Sequence, residues 1–244
     1  MHKVFTGEIA SGEAIVRGDD HKHLSRVLRV KPGEMLTVND LMGHDFEGTV
    51  KDVLKDHTVI SIIREIEGTN ESPVRITLYQ GMPKAGKMDL IVQKSTELGA
   101  VRIVPVITAR VESASKGEYR KLDRLRRIAL EASKQSKRTI IPEVTEPREL
   151  AEIADTLGKH DIIVVPYENA EGYGIRRLRK EIQEASDIAV VIGPEGGFEA
   201  EEIRLLEELG AKTVTLGKRI LRTETAGMAA IAILQMAYGD MGGD

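Results

Sequence analysis

The stretch Gly193-Pro194-Glu195-Gly196-Gly197-Phe198 decides the fold of the larger part of this 244-residue chain. It follows an apolar run at 188–192 and precedes a charged segment of helical pattern at 199–209, which together predict a strand, a tight loop and a helix. Glycine permits positive φ and lets the backbone approach a ligand closely. Such loops lie outside the carboxyl ends of strands in open α/β sheets, where ligands bind. The stretch therefore predicts an α/β fold with a small-molecule pocket.

A second block punctuated by glycine occupies 216–226 and has the sequence LGKRILRTETA. It also predicts a strand, a loop and a helix. Thr223 is a candidate N-cap for this helix, and Glu224 in the first turn suits the positive end of the helix dipole. Helix capping accounts for these two residues but leaves the cationic character of 217–222 unexplained.

Strands and helices alternate from residue 74 onward, which predicts a mostly parallel sheet covered by helices. The predicted strands are at 76–79, 103–106, 161–165, 188–192 and 214–216, and the predicted helices are at 88–98, 119–136, 175–185, 199–209 and 225–238. Residues 1–70 are instead rich in short β-branched runs, with one helix capped by Asp19 or Asp20, and predict a small β-barrel. The polar segment 67–73 marks a boundary, so the predicted domains are 1–70 and 74–244.

The composition excludes several classes of function. The chain has no cysteine, which rules out disulfides and thiol catalysis and fits a reducing compartment. No apolar run has the length of a membrane span and the first residues lack a signal peptide's apolar region, so we expect a cytoplasmic protein without membrane contact. A net charge of −4 argues against a wholly basic nucleic-acid binder, yet residues 110–138 contain ten Lys/Arg against four Asp/Glu.

Residues 81–88, GMPKAGKM, nearly match a phosphate-binding P-loop and follow a predicted strand. Met88 stands where a hydroxyl would bind Mg²⁺, and Pro83 removes one amide donor from the loop. A P-loop-like nucleotide site is therefore a less favoured alternative. His21 and His23 lack a third ligand nearby, so no metal is predicted.

Two carboxylates follow predicted strands, Glu195 in the glycine-rich loop and Glu168 after 161–165. Each can bond loop amides, and each can meet a cationic ligand. Both interpretations remain open from the sequence.

The chain resembles the small-subunit ribosomal RNA (uridine-N3)-methyltransferases of the RsmE type, in the SPOUT superfamily of knotted methyltransferases. The resemblance covers essentially the whole chain, and its most specific parts are the two glycine blocks at 193–198 and 216–226. Further matching residues are His23, Leu24, Arg26, Val27, Leu28 and Arg29; Lys94, Glu97, Leu98, Gly99 and Pro105; and Glu131, Ala132, Gln135, Ser136 and Arg138. The family often places arginine near the N-terminus, where this chain has His2 and Lys3.

This resemblance implies a PUA-like N-terminal β-barrel that binds RNA and a C-terminal α/β domain with a trefoil knot. It implies S-adenosyl-L-methionine as methyl donor, a homodimer, and N3 of a uridine in small-subunit (16S) ribosomal RNA as target, within the assembled or assembling subunit. A same-fold enzyme acting on another RNA position is the nearest alternative. Arg222 is the candidate that stabilises negative charge on a uracil oxygen, and Glu224 orients Arg222 or accepts the proton, with orientation favoured because a helix N-terminus weakens a base.

The predicted cofactor-binding residues lie in three loops that follow predicted strands. They are Pro166, Tyr167, Glu168, Ile192, Gly193, Pro194, Glu195, Gly196, Leu216, Gly217, Ile220, Leu221, Thr223 and Ala226. The predicted RNA contacts are Lys3, His23, Arg26, Arg29 and Arg138, chosen for local positive charge in an acidic chain.

Overall fold

The computed structural model describes residues 2–68, 70–84, 86–111 and 121–243. The chain divides into two compact units, Met1–Glu71 with Ser133–Ile141 and Ser72–Ala132 with Pro142–Asp244. Segment 133–141 thus groups with the first unit, whereas the sequence placed it in the second domain. The reason is a set of hydrogen bonds to Glu71, which accepts from the backbone amides of Thr139 and Ile140 at 2.9 and 3.0 Å.

The first unit is built on a six-stranded, mostly antiparallel sheet. Its elements are β1 His2–Phe5, β2 Ile9–Ala10, β3 Glu13–Arg17, α1 Gly18–Lys22, a π-helical turn His23–Leu28, β4 Met35–Asn39, β5 Asp45–Val53 and β6 His57–Glu65. The strand order is β1-β4-β5-β6-β3-β2, with β1 and β4 parallel. Alternate residues of β3 and β4 point into a core with Leu24 and Ile60, which is the pattern expected of strands with one buried face.

The start of α1 differs from the prediction. Arg17 is the residue that precedes the helix, and Asp19 and Asp20 both lie in its first turn. Their carboxylates form ion pairs instead of caps: Asp19 pairs with Lys22 at 2.8 Å and Asp20 with Lys134 at 2.9 Å. Side-chain pairing therefore replaces capping at this helix end.

The second unit is built on a seven-stranded parallel sheet, which confirms the predicted sheet type. Its elements are β7 Arg75–Gly81, α2 Lys87–Glu97, β8 Ala100–Ile107, α3 Leu122–Ser136, β9 Glu143–Val144, β10 Arg148–Glu149, a 3-10 turn Leu150–Ile153, α4 Ala154–Leu157, β11 Ile162–Pro166, α5 Ile175–Glu181, β12 Asp187–Ile192, α6 Ala200–Glu208, β13 Lys212–Val214 and α7 Thr223–Tyr238. The order is β10-β8-β7-β12-β11-β13, with β9 paired to β8. The last four residues of α3 count with the first unit.

One predicted helix is clearly shorter than expected. The helix predicted at 175–185 ends at Glu181, because Ile182 already has an extended backbone. The first residues of the helix predicted at 119–136 lie outside the described part of the chain.

The centre of this sheet is a point where the chain direction switches sides. Strand β7 leads to β8 on one side, while β12 pairs with β7 and with β11 on the other. A crevice at the carboxyl ends is expected at such a switch point. At this point the end of β7 and the loop after β12 approach so closely that a Cβ on Gly81 would lie 2.5 Å from the Pro194 nitrogen. Only glycine fits at the end of β7.

Candidate functional site

An open cavity of about 510 Å³ lies at the carboxyl ends of β11, β12 and β13. Its walls are the three loops that follow these strands, together with Lys87 and the start of α7. All fourteen residues predicted to bind the cofactor line it: Pro166, Tyr167, Glu168, Ile192, Gly193, Pro194, Glu195, Gly196, Leu216, Gly217, Ile220, Leu221, Thr223 and Ala226. Arg222 lines it too. The volume is typical of small-molecule sites, which measure roughly 300–1,000 Å³.

The hydroxyl of Thr223 joins the parts of this cavity and does not cap α7. Arg222 is the residue at the N-cap position. The Thr223 hydroxyl donates to the Gly193 carbonyl at 2.6 Å and accepts from the Gln80 amide at 2.8 Å. The capping role predicted for Thr223 is therefore wrong, because its hydroxyl links the end of β7 to the glycine-rich loop. Gln80 is fully buried and was missed by the sequence, where its only signal was a polar residue ending an apolar strand.

Lys87 at the start of α2 lies between the carboxylates of Glu195, which lines the cavity, and Glu224, at the start of α7. Its ammonium is 3.0 Å from Glu195 Oε1 and 3.2 Å from Glu224 Oε2, and the Lys84 amide donates to the same Glu195 oxygen at 3.0 Å. The three side chains of Lys87, Glu195 and Glu224 are 28%, 26% and 15% exposed. This cluster connects three elements that are far apart in the sequence.

Glu195 and Lys87 both stay charged around neutral pH. Burial by itself would raise the pKa of the Glu195 carboxyl, but hydrogen bonds from loop amides and from Lys87 outweigh it and hold that pKa below its ordinary value. The hydrogen bond to Glu195 is the main reason that the pKa of Lys87 is raised. The cluster brings two carboxylates to one ammonium, while Lys218, Arg219 and Arg222 add positive charge elsewhere in the cavity lining.

This arrangement bears on two of the sequence interpretations. Glu224 has Lys87 as its ion-pair partner, in place of the predicted Arg222. The amide of Lys84 and the ammonium of Lys87, which a P-loop would direct at phosphate, are instead directed at carboxylates. The P-loop alternative therefore loses its ligand groups.

Arg110 holds the glycine-rich loop from the outside. Its guanidinium donates to the Gly196 carbonyl at 2.7 Å and to Glu199 at 2.8 Å. A Cβ on Gly196 would lie 3.1 Å from the Arg110 side chain, so the arginine packs directly on the loop. The hydrogen bonds from Arg110 also lower the pKa of Glu199. Arg110 was counted only as part of the basic stretch 110–138 and was not among the predicted site residues.

The predicted RNA contacts fall into two groups. His23, Arg26 and Arg29 are exposed on the π-helical turn and the residue after it. The side chains of Lys3 and Arg138 are only 6% and 5% exposed, and they pair with Asp45 at 2.6 Å and with Glu71 at 2.5 Å. Both cations are thus buried against carboxylates of the same unit, in contrast to His23, Arg26 and Arg29, and their contact with RNA stays a prediction.

Within the described residues, no group of three His, Asp or Glu side chains is placed to hold a metal ion. The ring of His21 is buried and lies 2.9 Å from the Thr58 hydroxyl, while His23 is exposed. No helix in the described part of the chain is both long and apolar enough to span a bilayer.

The parallel sheet with its cavity defines the class of protein. A family model described as an RNA methyltransferase domain matches residues 70–235. The ribosomal RNA small subunit methyltransferase E of Aquifex aeolicus is 34% identical and covers 96% of this chain and 99% of its own length. That of Bacillus subtilis is 30% identical, with 94% and 92% covered.

Solved structures agree with these relatives. The methyltransferase E of Neisseria gonorrhoeae bound to S-adenosyl methionine has a TM-score of 0.84 and 33% identity, and 99% of each chain is covered. A methyltransferase of Legionella pneumophila in complex with the same cofactor has a TM-score of 0.82 and 32% identity, with 98% of each chain covered. The chain belongs to the ribosomal RNA small subunit methyltransferase E family.

Proposed function

We propose that this protein transfers the methyl group of S-adenosyl-L-methionine to N3 of a uridine in small-subunit ribosomal RNA. The observation that carries this proposal is the cavity lined by all three loops, in a chain whose structural neighbours hold that cofactor. The uridine N3 target rests on the motifs that resemble the RsmE type.

The cavity has the shape and chemistry that the cofactor requires. Gly217 has φ +121°, and a Cβ placed there would meet nothing within 4 Å, so the cavity wall is open where a side chain would otherwise stand. Leu216, Ile220 and Leu221 offer apolar surface for an adenine ring. Glu168 and Glu195 add carboxylates to the cavity lining, which attract the cationic sulfur and amine of the cofactor.

When bound, the cofactor supplies a methyl group on a positively charged sulfur, so the transfer needs no metal. The part of this chain is to align the uracil and to stabilise the charge that develops as N3 loses its proton. Arg222 has an exposed guanidinium at the cavity wall, directly before α7, and is the residue we assign to a uracil oxygen. Thr223 and Gln80 hold the start of α7 and thereby the position of Arg222.

Glu224 acts through position. Because its carboxylate lies 3.2 Å from the Lys87 ammonium, in the first turn of α7, we assign it an electrostatic and orienting role. The raised pKa of Lys87 keeps its ammonium protonated at neutral pH, so Lys87 does not accept the N3 proton.

The deciding experiment combines labelled methyl transfer with nucleoside mass spectrometry. Purified protein, S-adenosyl methionine and either naked small-subunit RNA or assembled subunits should give N3-methyluridine. Arg222→Ala should lower kcat about 100-fold or more while cofactor affinity stays unchanged, and Arg222→Lys should recover only part of the loss. A methyl group on ribose or on another base would support the alternative of a same-fold enzyme with another target.

The finer features of the fold belong to the same proposal. We assign the first unit to a PUA-like RNA-binding domain and the second to a knotted SPOUT domain, and we place the protein in the cytoplasm. The exposed His23, Arg26 and Arg29 support RNA binding by the first unit. Charge reversal at Arg26 and Arg29 should weaken RNA binding and flatten its salt dependence, with cofactor affinity as the unaffected control.

We assign the interface of the proposed homodimer to α7. One face of this helix is buried through Gly227, Ala230 and Leu234, while Ile233 and Met236 are exposed on another. Apolar side chains on an outer helix face favour a partner surface, and a two-fold axis would place the same face on both subunits. Ile233→Glu with Met236→Glu should give a monomer in light scattering. A wild-type monomer with full activity at micromolar concentration would exclude this assignment.

A further inference from the structure

The loop at 217–222 carries two positive charges, on Lys218 and Arg219, that the proposed catalysis does not use. Lys218 and Arg219 are exposed and line the same cavity as Arg222. Within the described residues, neither of them forms an ion pair with a carboxylate. The proposed catalysis assigns a role to Arg222 and to the start of α7, but none to Lys218 and Arg219.

The inner and outer cations of the cavity differ in how they are neutralised. Lys87 lies between Glu195 and Glu224 at 3.0 and 3.2 Å. Lys218 and Arg219 stand at the mouth with no such compensation, although the proposed cofactor carries a positive sulfur that like charges repel. Their charge therefore suits an anion that arrives from solvent.

The chemistry of the proposed substrate supplies that anion. N3 lies on the Watson–Crick edge of uridine, so the target nucleotide must be unpaired, and its flanking phosphates must pass close to the cavity mouth. Lysine binds phosphate as a point charge, and the planar guanidinium of arginine binds it through two parallel hydrogen bonds. Ile220, between these cations and Arg222, is 88% exposed and offers an apolar surface to a sugar or base.

We propose that Lys218 and Arg219 bind the RNA phosphates that flank the methylated nucleotide, at the mouth of the cofactor cavity. This inference rests on the proposed function for its substrate. It adds a second RNA-binding surface, in the catalytic unit itself, to the one assigned to the first unit.

In the alternative role, Lys218 and Arg219 bind the cofactor instead of RNA, because the methionine part of the cofactor also has a carboxylate. Cations that held this group would matter for S-adenosylhomocysteine, which keeps the carboxylate, and not for methylthioadenosine, which lacks it. Comparing these two ligands separates the two roles.

The test uses the double variant Lys218→Glu with Arg219→Glu. The matched control is Arg176→Glu with Lys180→Glu, which makes the same change of charge at exposed positions of α5 outside the cavity. Affinity for an unpaired-uridine fragment of small-subunit RNA is measured against salt, and affinity for S-adenosylhomocysteine and methylthioadenosine by calorimetry. Lys218→Ala with Arg219→Ala separates loss of attraction from added repulsion.

We expect the cavity-mouth variant to bind RNA at least tenfold more weakly, and the slope of log K against log salt to become shallower by about 1.4, which is two single-strand phosphate contacts. The alanine variant should show the same change of slope, and the α5 control should match the wild type. The affinity for S-adenosylhomocysteine should stay unchanged, which also shows that the cavity is folded.

Two results would overturn the proposal. One is unchanged RNA affinity and slope in both cavity-mouth variants. The other is weaker binding of S-adenosylhomocysteine with unchanged binding of methylthioadenosine, which would assign the cations to the cofactor's carboxylate. Failure of the proposed function is distinguishable, because it shows as absence of methyluridine from the wild-type protein, whereas the RNA affinities are measured without the methyl donor.

Discussion

Basic residues of equal charge have opposite surroundings in the two units. In the first unit, Lys3 and Arg138 are buried, and each has a carboxylate within 2.6 Å. In the second, Lys218 and Arg219 are exposed at the mouth of a cavity. A buried pair is costly to break, whereas an exposed cation costs the fold little when it is removed. Burial and pairing, and not the presence of charge, separate structural cations from candidate ligand contacts.

The largest expected effect tests the structural side of this contrast. Arg138→Met leaves the Glu71 carboxylate buried without its guanidinium, so the free energy of unfolding should fall by about 3–5 kcal/mol in urea titration. Arg176→Met, at an exposed position of α5, is the control and should change it little. A stable Arg138→Met protein with weakened RNA binding would support Arg138 as an RNA contact.

The next effect concerns backbone packing at the cavity. In Gly81→Ala, the new methyl group would overlap the Pro194 nitrogen and the Ile192 carbonyl, at 2.5 and 2.8 Å. Backbone atoms cannot move aside easily, so we expect a loss of about 1–3 kcal/mol in stability and weaker cofactor binding. Gly158→Ala, whose added carbon would lie 3.8 Å from the nearest atom, is the control. Unchanged calorimetric affinity for S-adenosyl methionine in Gly81→Ala would show that this glycine does not shape the cofactor site.

A smaller effect is expected from the hydroxyl that joins the cavity walls. Thr223→Val keeps the shape of the side chain but removes its hydrogen bonds to Gln80 and Gly193, which should cost about 1–2 kcal/mol of stability. Since the start of α7 is then less fixed, kcat should fall more than cofactor affinity. Thr223→Ser keeps the hydroxyl and should restore kcat; if it does not, the hydrogen bonds are not the cause.

The smallest effect is a change in pH dependence at Lys87. The folded pKa of Glu195 is lowered from 4.5, so its contribution to stability is present above that pH and is lost as the pH falls through the folded value. The folded pKa of Lys87 is raised from 10.5, so its contribution is present below that pH and is lost as the pH rises through the folded value. In Lys87→Met the folded pKa of Glu195 lies closer to 4.5, so the loss of stability in acid should be smaller, and the loss at alkaline pH that is due to Lys87 should disappear.

Urea midpoints measured between pH 3 and pH 11 check this prediction, with Lys180→Met as the control for loss of one exposed charge. Identical pH profiles in the wild type and Lys87→Met would show that the cluster contributes nothing to stability. That outcome would place Lys87 with the exposed cations of the cavity mouth.

The sequence by itself determined the parallel sheet and which three loops surround the cavity. Apolar runs alternating with helical patterns specify parallel strands, and the carboxyl ends of such strands meet at one edge. Glycine-rich loops after β12 and β13, and the loop after β11, therefore had to lie together. These inferences use local pattern and a general rule of topology, and neither requires knowledge of which distant side chains touch.

Only the tertiary structure decided the partners of the charged and polar side chains. Lys3 donates to a carbonyl of Arg138, 135 residues away, and Thr223 bonds Gln80 across 143 residues. Local patterns carry no information about such pairs, because folding brings them together through the packing of whole elements. The sequence therefore assigned Thr223 to a cap and Glu224 to Arg222, while the folded chain gives them Gly193 and Lys87 as partners. No local pattern indicated that Lys3, predicted to contact RNA, pairs with Asp45.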